Sequence, residues 1–198
     1  MTIRLAAALA IGLLSAPMSA LAASSDPAAM PAGVYEIEKH HASVTGKVSH
    51  LGLSTYVFRF DRFDASYTYD PKAPAASKLT VSVDATSLNT GFDRADKEFP
   101  VEFLGADKQP LITFVSTAIS YTGNKGKVTG GLTMNGVTKP AVLDVTFVGY
   151  ESAGPLANKA GFAASTIVKR SEFGLTKYAG AVGDDITIEI NAEFKKKP

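Results

Sequence analysis

From Gly33 onward, apolar and polar residues alternate with a period of two, and this feature most limits how the chain can fold. Successive side chains of a strand point to opposite faces, so the alternation predicts strands with one buried face. Ile186, Ile188, Ile190, Ala192 and Phe194 alternate with Asp185, Thr187, Glu189, Asn191 and Glu193. Leu79, Val81 and Val83 alternate in the same way with Thr80, Ser82 and Asp84. Asn135-Gly136 adds a register, because both residues tolerate the positive φ of a two-residue hairpin turn. Counting back from the turn sets Met134 opposite Val137, Leu132 opposite Lys139, Gly130 opposite Ala141 and Val128 opposite Leu143. Val128, Leu132, Met134, Val137, Leu143, Val145 and Phe147 then share one face. Lys139 is the exception, close enough to the end to reach solvent.

Tyr56 to Asp70 shows a change of phase. Tyr56, Phe58 and Phe60 share one parity, and Phe63, Ala65, Tyr67 and Tyr69 the other. A switch near Asp61-Arg62 is what a β-bulge supplies, and bent strands let a sheet close on itself. Further strands are expected at 33–39, 43–51, 112–121 and 160–169, about eight in all. The 93–105 stretch lacks the period of two; Phe99, Phe103 and Leu104 suggest a short helical segment ending at Gly105, suited to cap a barrel mouth. The expected fold is all-β and antiparallel, a sandwich or a barrel, with the bulged strand favouring a barrel of about eight strands.

Ahead of the strands, Arg4, the apolar run Leu5 to Leu14, and Ala20-Leu21-Ala22 read as a secretory signal peptide over 1–22, cleaved after Ala22. The run is shorter than the roughly 20 residues a membrane span needs, so the expected location is periplasmic and soluble. Residues 23–32 are expected to be a disordered lead-in, 33–194 one barrel domain, and 195–198 a basic solubilising tail. Losing Arg4 lowers Lys+Arg from 20 to 19 against 19 Asp+Glu, a balance that gives no reason to expect nucleic acid or an anionic surface as partner. The chain has no cysteine, so packing alone must hold the fold, and the lipid anchor of a bacterial lipoprotein is not expected.

Five ordered segments resemble the YceI-like family of polyisoprenoid-binding periplasmic proteins. They are Ser49-His50-Leu51-Gly52-Leu53-Ser54-Thr55 with Arg59-Phe60; Val81-Ser82-Val83-Asp84 with Ser87-Leu88-Asn89-Thr90-Gly91; and Phe103 with Gln109-Pro110-Leu111-Ile112-Thr113-Phe114. Then come Val128 to Thr133 with Asn135 to Pro140, and Gly161-Phe162 with Arg170 to Leu175 and Val182-Gly183-Asp184. The resemblance spans nearly all of 33–194. It implies a lipocalin-like barrel with an elongated apolar pocket for a polyprenyl chain or a quinone tail. Three features depart from the family's habit: Phe58 stands where glycine is frequent, Gly46 where an aromatic is frequent, and the Asp93 to Leu104 segment is shortened, with Pro100 and no histidine; the first two are single positions.

Phe58, Phe60, Phe63, Phe103, Phe114, Phe147, Phe162 and Phe173 are candidate ligand walls, with ordinary core packing as the alternative. His41 or His50 is a candidate partner for a quinone head, with a surface or satisfied strand histidine as the alternative. Arg170 is a candidate for a polar head or for a structural bridge to Glu172. No zinc-protease histidine spacing occurs, and the carboxylate pairs Asp61/Asp64 and Asp93/Asp96 lie near expected bends, where Asp serves turns. No enzyme activity, metal or cofactor is expected. The expected function is to carry or sequester a long apolar lipid. Alternatives are an accessory of membrane redox chemistry that hands a quinone to a membrane cytochrome, and a small outer-membrane barrel, which the Lys195-Lys196-Lys197 ending argues against. An unpaired barrel edge would make a homodimer the expected form.

Overall fold

A computed structural model describes residues 23–154 and 157–198; the expected signal peptide lies outside the described residues. In chain order the elements are β1 (Gly33–His50), β2 (Ser54–Phe60), β3 (Phe63–Tyr69), β4 (Lys78–Asp84), β5 (Leu88–Asn89), α1 (Asp93–Leu104), β6 (Leu111–Thr122), β7 (Lys125–Met134), β8 (Val137–Glu151), β9 (Lys159–Lys169) and β10 (Val182–Lys196). Eight strands form a closed antiparallel ring, β1-β3-β4-β6-β7-β8-β9-β10 and back to β1, with β2 and β5 added beside the second half of β1.

The hairpin register holds at every position expected from the Asn-Gly turn. Met134 faces Val137, Leu132 faces Lys139, Gly130 faces Ala141 and Val128 faces Leu143, with Asn135 and Gly136 at φ 50° and 73°. The phase switch is also present. The chain leaves β2 at Asp61-Arg62 and re-enters as β3, and on the neighbouring strand a 3-10 turn, Ala85–Ser87, separates β4 from β5 at the same level. Both strands bend together, so Phe58 and Phe60 before the bend and Ala65 and Tyr69 after it all point inward and are buried.

Three expectations need correction. The strands expected at 33–39 and 43–51 are one 18-residue strand. Lys39, His40 and His41 interrupt its alternation, and its register with β10 shifts between Ile37 and Ala42, so the extra residues bulge outward without ending the strand. Residues 23–32 are not a disordered lead-in. Ser24 exchanges two backbone hydrogen bonds with Tyr150, at 2.9 and 2.8 Å, Pro27–Ala29 forms a 3-10 turn, and Met30 is 2% exposed. Nor is 195–198 simply a tail, since Lys195 and Lys196 are ladder residues opposite Glu36 and Tyr35. Their backbone groups complete the sheet whatever their side chains do.

The helix forms over the expected residues. Asp93 and Asp96 lie in its first turn, where negative charge opposes the positive end of the helix dipole. Asp96 also accepts hydrogen bonds from the Thr90 N–H and hydroxyl, both at 2.7 Å. Gly105, at φ 65°, ends the helix in the left-handed conformation. Leu104 is buried and Phe99 packs against the barrel core, so α1 lies across one end of the ring.

Candidate functional site

The inward side chains leave space along the barrel in three chambers that share walls. At the end away from α1, Phe63, Tyr67, Tyr69, Phe147, Phe162 and Phe194 help enclose about 1080 Å³, the mouth included. Its aromatic walls pack edge to face, with ring centres 5.5 Å apart for Phe147–Phe162, 5.7 Å for Tyr67–Phe162 and 5.8 Å for Phe162–Phe194. The middle chamber, about 860 Å³ with its openings, is bounded by Phe58, Phe60, Phe114, Met134, Ile186 and Ile188, among others. It shares Val44, Val81, Leu143 and Ile190 with the first. The third, about 1260 Å³ with its mouth, lies under α1 and shares Phe58, Leu104 and Ile186 with the second.

The two ends are finished differently. At the aromatic end, Pro27 and Met30 lie at the chamber wall, and two tyrosines stitch this leading segment down. The Tyr35 hydroxyl donates to the Pro31 carbonyl at 2.7 Å and the Tyr69 hydroxyl to the Pro27 carbonyl at 3.0 Å. Burial, first of all, pushes both phenols well above their ordinary range, so they remain protonated donors. At the helix end, His50, Thr90, Glu98 and Glu102 bring polar groups to the chamber edge. Glu98 pairs with Arg94 at 2.9 Å and Glu102 with Lys177 at 2.7 Å.

The structure distributes the sequence-predicted residues among these spaces. Phe63, Phe147 and Phe162 stand on the aromatic chamber, Phe58, Phe60 and Phe114 on the middle one, and Phe103 with His50 on the helix-end chamber. Phe103 is only half-buried, packed on Phe99 at 4.9 Å and Tyr178 at 5.6 Å. Phe173 lines none of the three; it is buried in the 3-10 turn Arg170–Phe173 that follows β9. Arg170 borders the helix-end chamber, but its guanidinium is occupied. It donates to the carbonyls of Gly183, Leu175, Lys177 and Val182 at 2.7–2.9 Å and is 4% exposed. It therefore makes no bridge to Glu172. It fixes the 174–183 loop at the mouth.

Tyr67, Tyr69, Val44, Leu143, Ile190 and Met30 are wall residues not singled out as site residues. The parity shared with Phe63 marks the two tyrosines in the sequence; nothing local marks Met30. Three of the four paired carboxylates have structural partners, and Asp93 lies in the first turn of α1. Asp61 meets Arg59 at 2.6 Å and Asn89 at 2.9 Å, Asp64 meets Lys39 at 2.8 Å, and Asp96 holds Thr90. Among the described residues, no three His, Asp or Glu side chains gather where a metal ion could be held.

The two single-position departures from the family's habit meet in space. Gly46 and Phe58 are direct partners across β1 and β2, and the Phe58 ring lies over Gly46, so that a Cβ there would sit 2.2 Å from its Cζ. One aromatic fills the place from the opposite strand.

A closed antiparallel barrel with apolar inward faces and a polar edge at one end defines a lipocalin-like binding barrel; an outer-membrane barrel has the inverse arrangement, apolar outside and polar within. The chain belongs to the YceI-like domain family, whose model matches residues 35–194. It is 35% identical over 162 residues to protein YceI of Escherichia coli O6:H1 (strain CFT073), covering 80% of this chain and 85% of that one. The crystal structure of the Campylobacter jejuni YceI protein aligns with TM-score 0.68 and 31% identity, over 76% of this chain and 90% of that one. A polyisoprenoid-binding domain from Saccharophagus degradans, implicated in plant cell wall breakdown, shares the fold with TM-score 0.58 and 12% identity, over 82% of this chain and 98% of that one.

Proposed function

We propose that this chain binds a long apolar lipid along the barrel axis, a polyisoprenoid or a quinone tail, and carries or sequesters it in the periplasm. The observation that carries this reading is the run of three wall-sharing chambers whose polar groups gather chiefly at the helix end. Burying apolar carbon gains roughly 0.8 kcal/mol per CH₂, so ten enclosed carbons are worth about 8 kcal/mol gross. That is on the order of a micromolar complex before ordering costs are subtracted. The likeness to a domain described as polyisoprenoid-binding supports the same ligand class. The head group belongs at the helix end. There His50 and Thr90 offer hydrogen bonds to a polar head, while Glu98 and Glu102 are already paired with Arg94 and Lys177. A head held at an accessible mouth also suits an accessory that passes a quinone to a membrane cytochrome.

The test is to purify the protein from periplasm without detergent, extract it and analyse the extract by mass spectrometry. An isoprenoid or quinone at near-equal molar ratio is expected. An extract that stays empty after incubation with polyprenols and long-chain quinones overturns the reading, and recovery of the chain only from cytosol overturns the location.

A further inference from the structure

The ring is closed, but one of its walls is not hydrogen-bonded along its whole length. β8 begins at Val137 and β9 ends at Lys169, yet their ladder runs only from Asp144–Ser165 to Glu151–Lys159. Beyond Asp144 the two strands part. Val137–Leu143 keeps its bonds to β7, and Thr166–Lys169 keeps its bonds to β10. Between them lies an outer groove bounded by Pro140, Ala141, Val142, Thr166, Ile167 and Phe173, among others. Leu132, Ala141, Thr166 and Val168 line both this groove and the middle chamber. Here side chains alone separate the dry interior from the outside.

Three further features fit a seam built into the fold. Pro140 brings no N–H to the sheet and sits where β8 lacks a β9 partner, the kind of position that tolerates a strand proline. Val142, 41% exposed, and Ile167, 65% exposed, form apolar lips, with Asp144, Lys169 and Glu172 farther along the groove. At its end nearest α1 the seam is stopped by Phe173, whose turn packs on β8 and whose carbonyl accepts a hydrogen bond from the Asn135 amide at 3.0 Å.

We propose that the seam between β8 and β9 is a lateral portal and binding groove for the hydrocarbon chain of the cargo, through which it enters the middle chamber sideways. The proposal rests on the lipid-binding reading. Separating the seam beyond Asp144–Ser165 opens no ladder pair, only side-chain packing, and gives a long chain a sideways route to the middle chamber besides the mouths at the two ends. Val142 and Ile167 stand as the guides on either lip, and Phe173 limits how far the opening runs.

The chain has no cysteine, which makes the test direct. Val142→Cys with Ile167→Cys places thiols on the outer lips, and a short bismaleimide locks them. The control lock, Thr146→Cys with Ala163→Cys, lies where the ladder is already bonded. Transfer of a dansyl-labelled polyprenol from phosphatidylcholine vesicles into each protein is followed by fluorescence. We expect locking the seam to slow loading at least tenfold while the control lock leaves it unchanged. Equal rates in the two locked proteins overturn the portal and leave lipid binding intact. Failure of the unlocked proteins and the unmodified chain to take up the probe overturns the lipid reading and the portal with it. A second lock, Pro140→Cys with Lys169→Cys, gives the same comparison if the first pair misfolds.

Discussion

The two ends of the barrel solve one problem with opposite chemistry. At the aromatic end the closing segment is extended chain, held by burial of Met30 and by two tyrosine hydroxyls. At the helix end the closing elements are α1 and a loop held by one buried guanidinium on four carbonyls, with charged side chains around the chamber. An apolar stitch can be dry because its polar atoms are backbone carbonyls already satisfied by phenols. A loop clamped by Arg170 keeps water and charge nearby. The aromatic end is thus tied down by dry contacts, and the helix end is built to present something polar.

The contrast should show first in the phenylalanines. Phe147→Ala, inside the aromatic chamber, should cost about 3–5 kcal/mol by urea denaturation, while Phe103→Ala, half-buried at the helix end, should cost about 1 kcal/mol; equal costs would erase the distinction. Met30→Ala should cost about 3 kcal/mol and raise hydrogen exchange at Tyr35 and Tyr69 without touching α1. Between the ends, Gly46→Phe and Phe58→Gly should each destabilise alone, and combining them should recover about 2 kcal/mol, a coupling read from a double-mutant cycle. Arg170→Lys should cost about 2 kcal/mol and expose residues 174–183 to exchange, leaving the aromatic end protected.

The smallest effect should be that of acid. Asp61, bonded first by Asn89 and then by Arg59, and Asp84, bonded first by Thr86 and then by Arg62, are both held below the ordinary carboxyl value of 3.8. Groups lowered on folding stabilise fully above their unfolded pKa and lose that contribution as pH falls through the lowered values. These side chains face solvent, so the loss should be a fraction of a kcal/mol each. Mutating both to Asn should flatten the acid limb of the stability curve below the ordinary carboxyl value of 3.8.

Much of this was legible because it is local. Asn135-Gly136 fixes a register through turn geometry alone, the parity switch at Asp61-Arg62 marks the bend, and Gly105 marks the helix end. Residues 23–32 misled because Ala, Pro and Ser carry no periodicity; their order comes from tyrosines elsewhere in the chain. Phe173 misled because an aromatic beside a strand looks the same whether it faces a chamber or stops a seam. Arg170 looked like a partner for Glu172 because the carbonyls it holds leave no trace in residue identity. The Gly46–Phe58 exchange was visible as two oddities, and only their pairing across β1 and β2 made them one.

The ring is shut by its first and last strands, with Tyr35 against Lys196 and Val48 against Ile186. A growing chain therefore has no barrel until β10 is made, because β1 waits beside an empty place while everything between is synthesised. Contacts so distant in sequence form slowly, and unclosed apolar faces invite aggregation in the interval. Closure is a late, nearly all-or-none event, so a chain that has lost its last strand should remain open and sticky throughout.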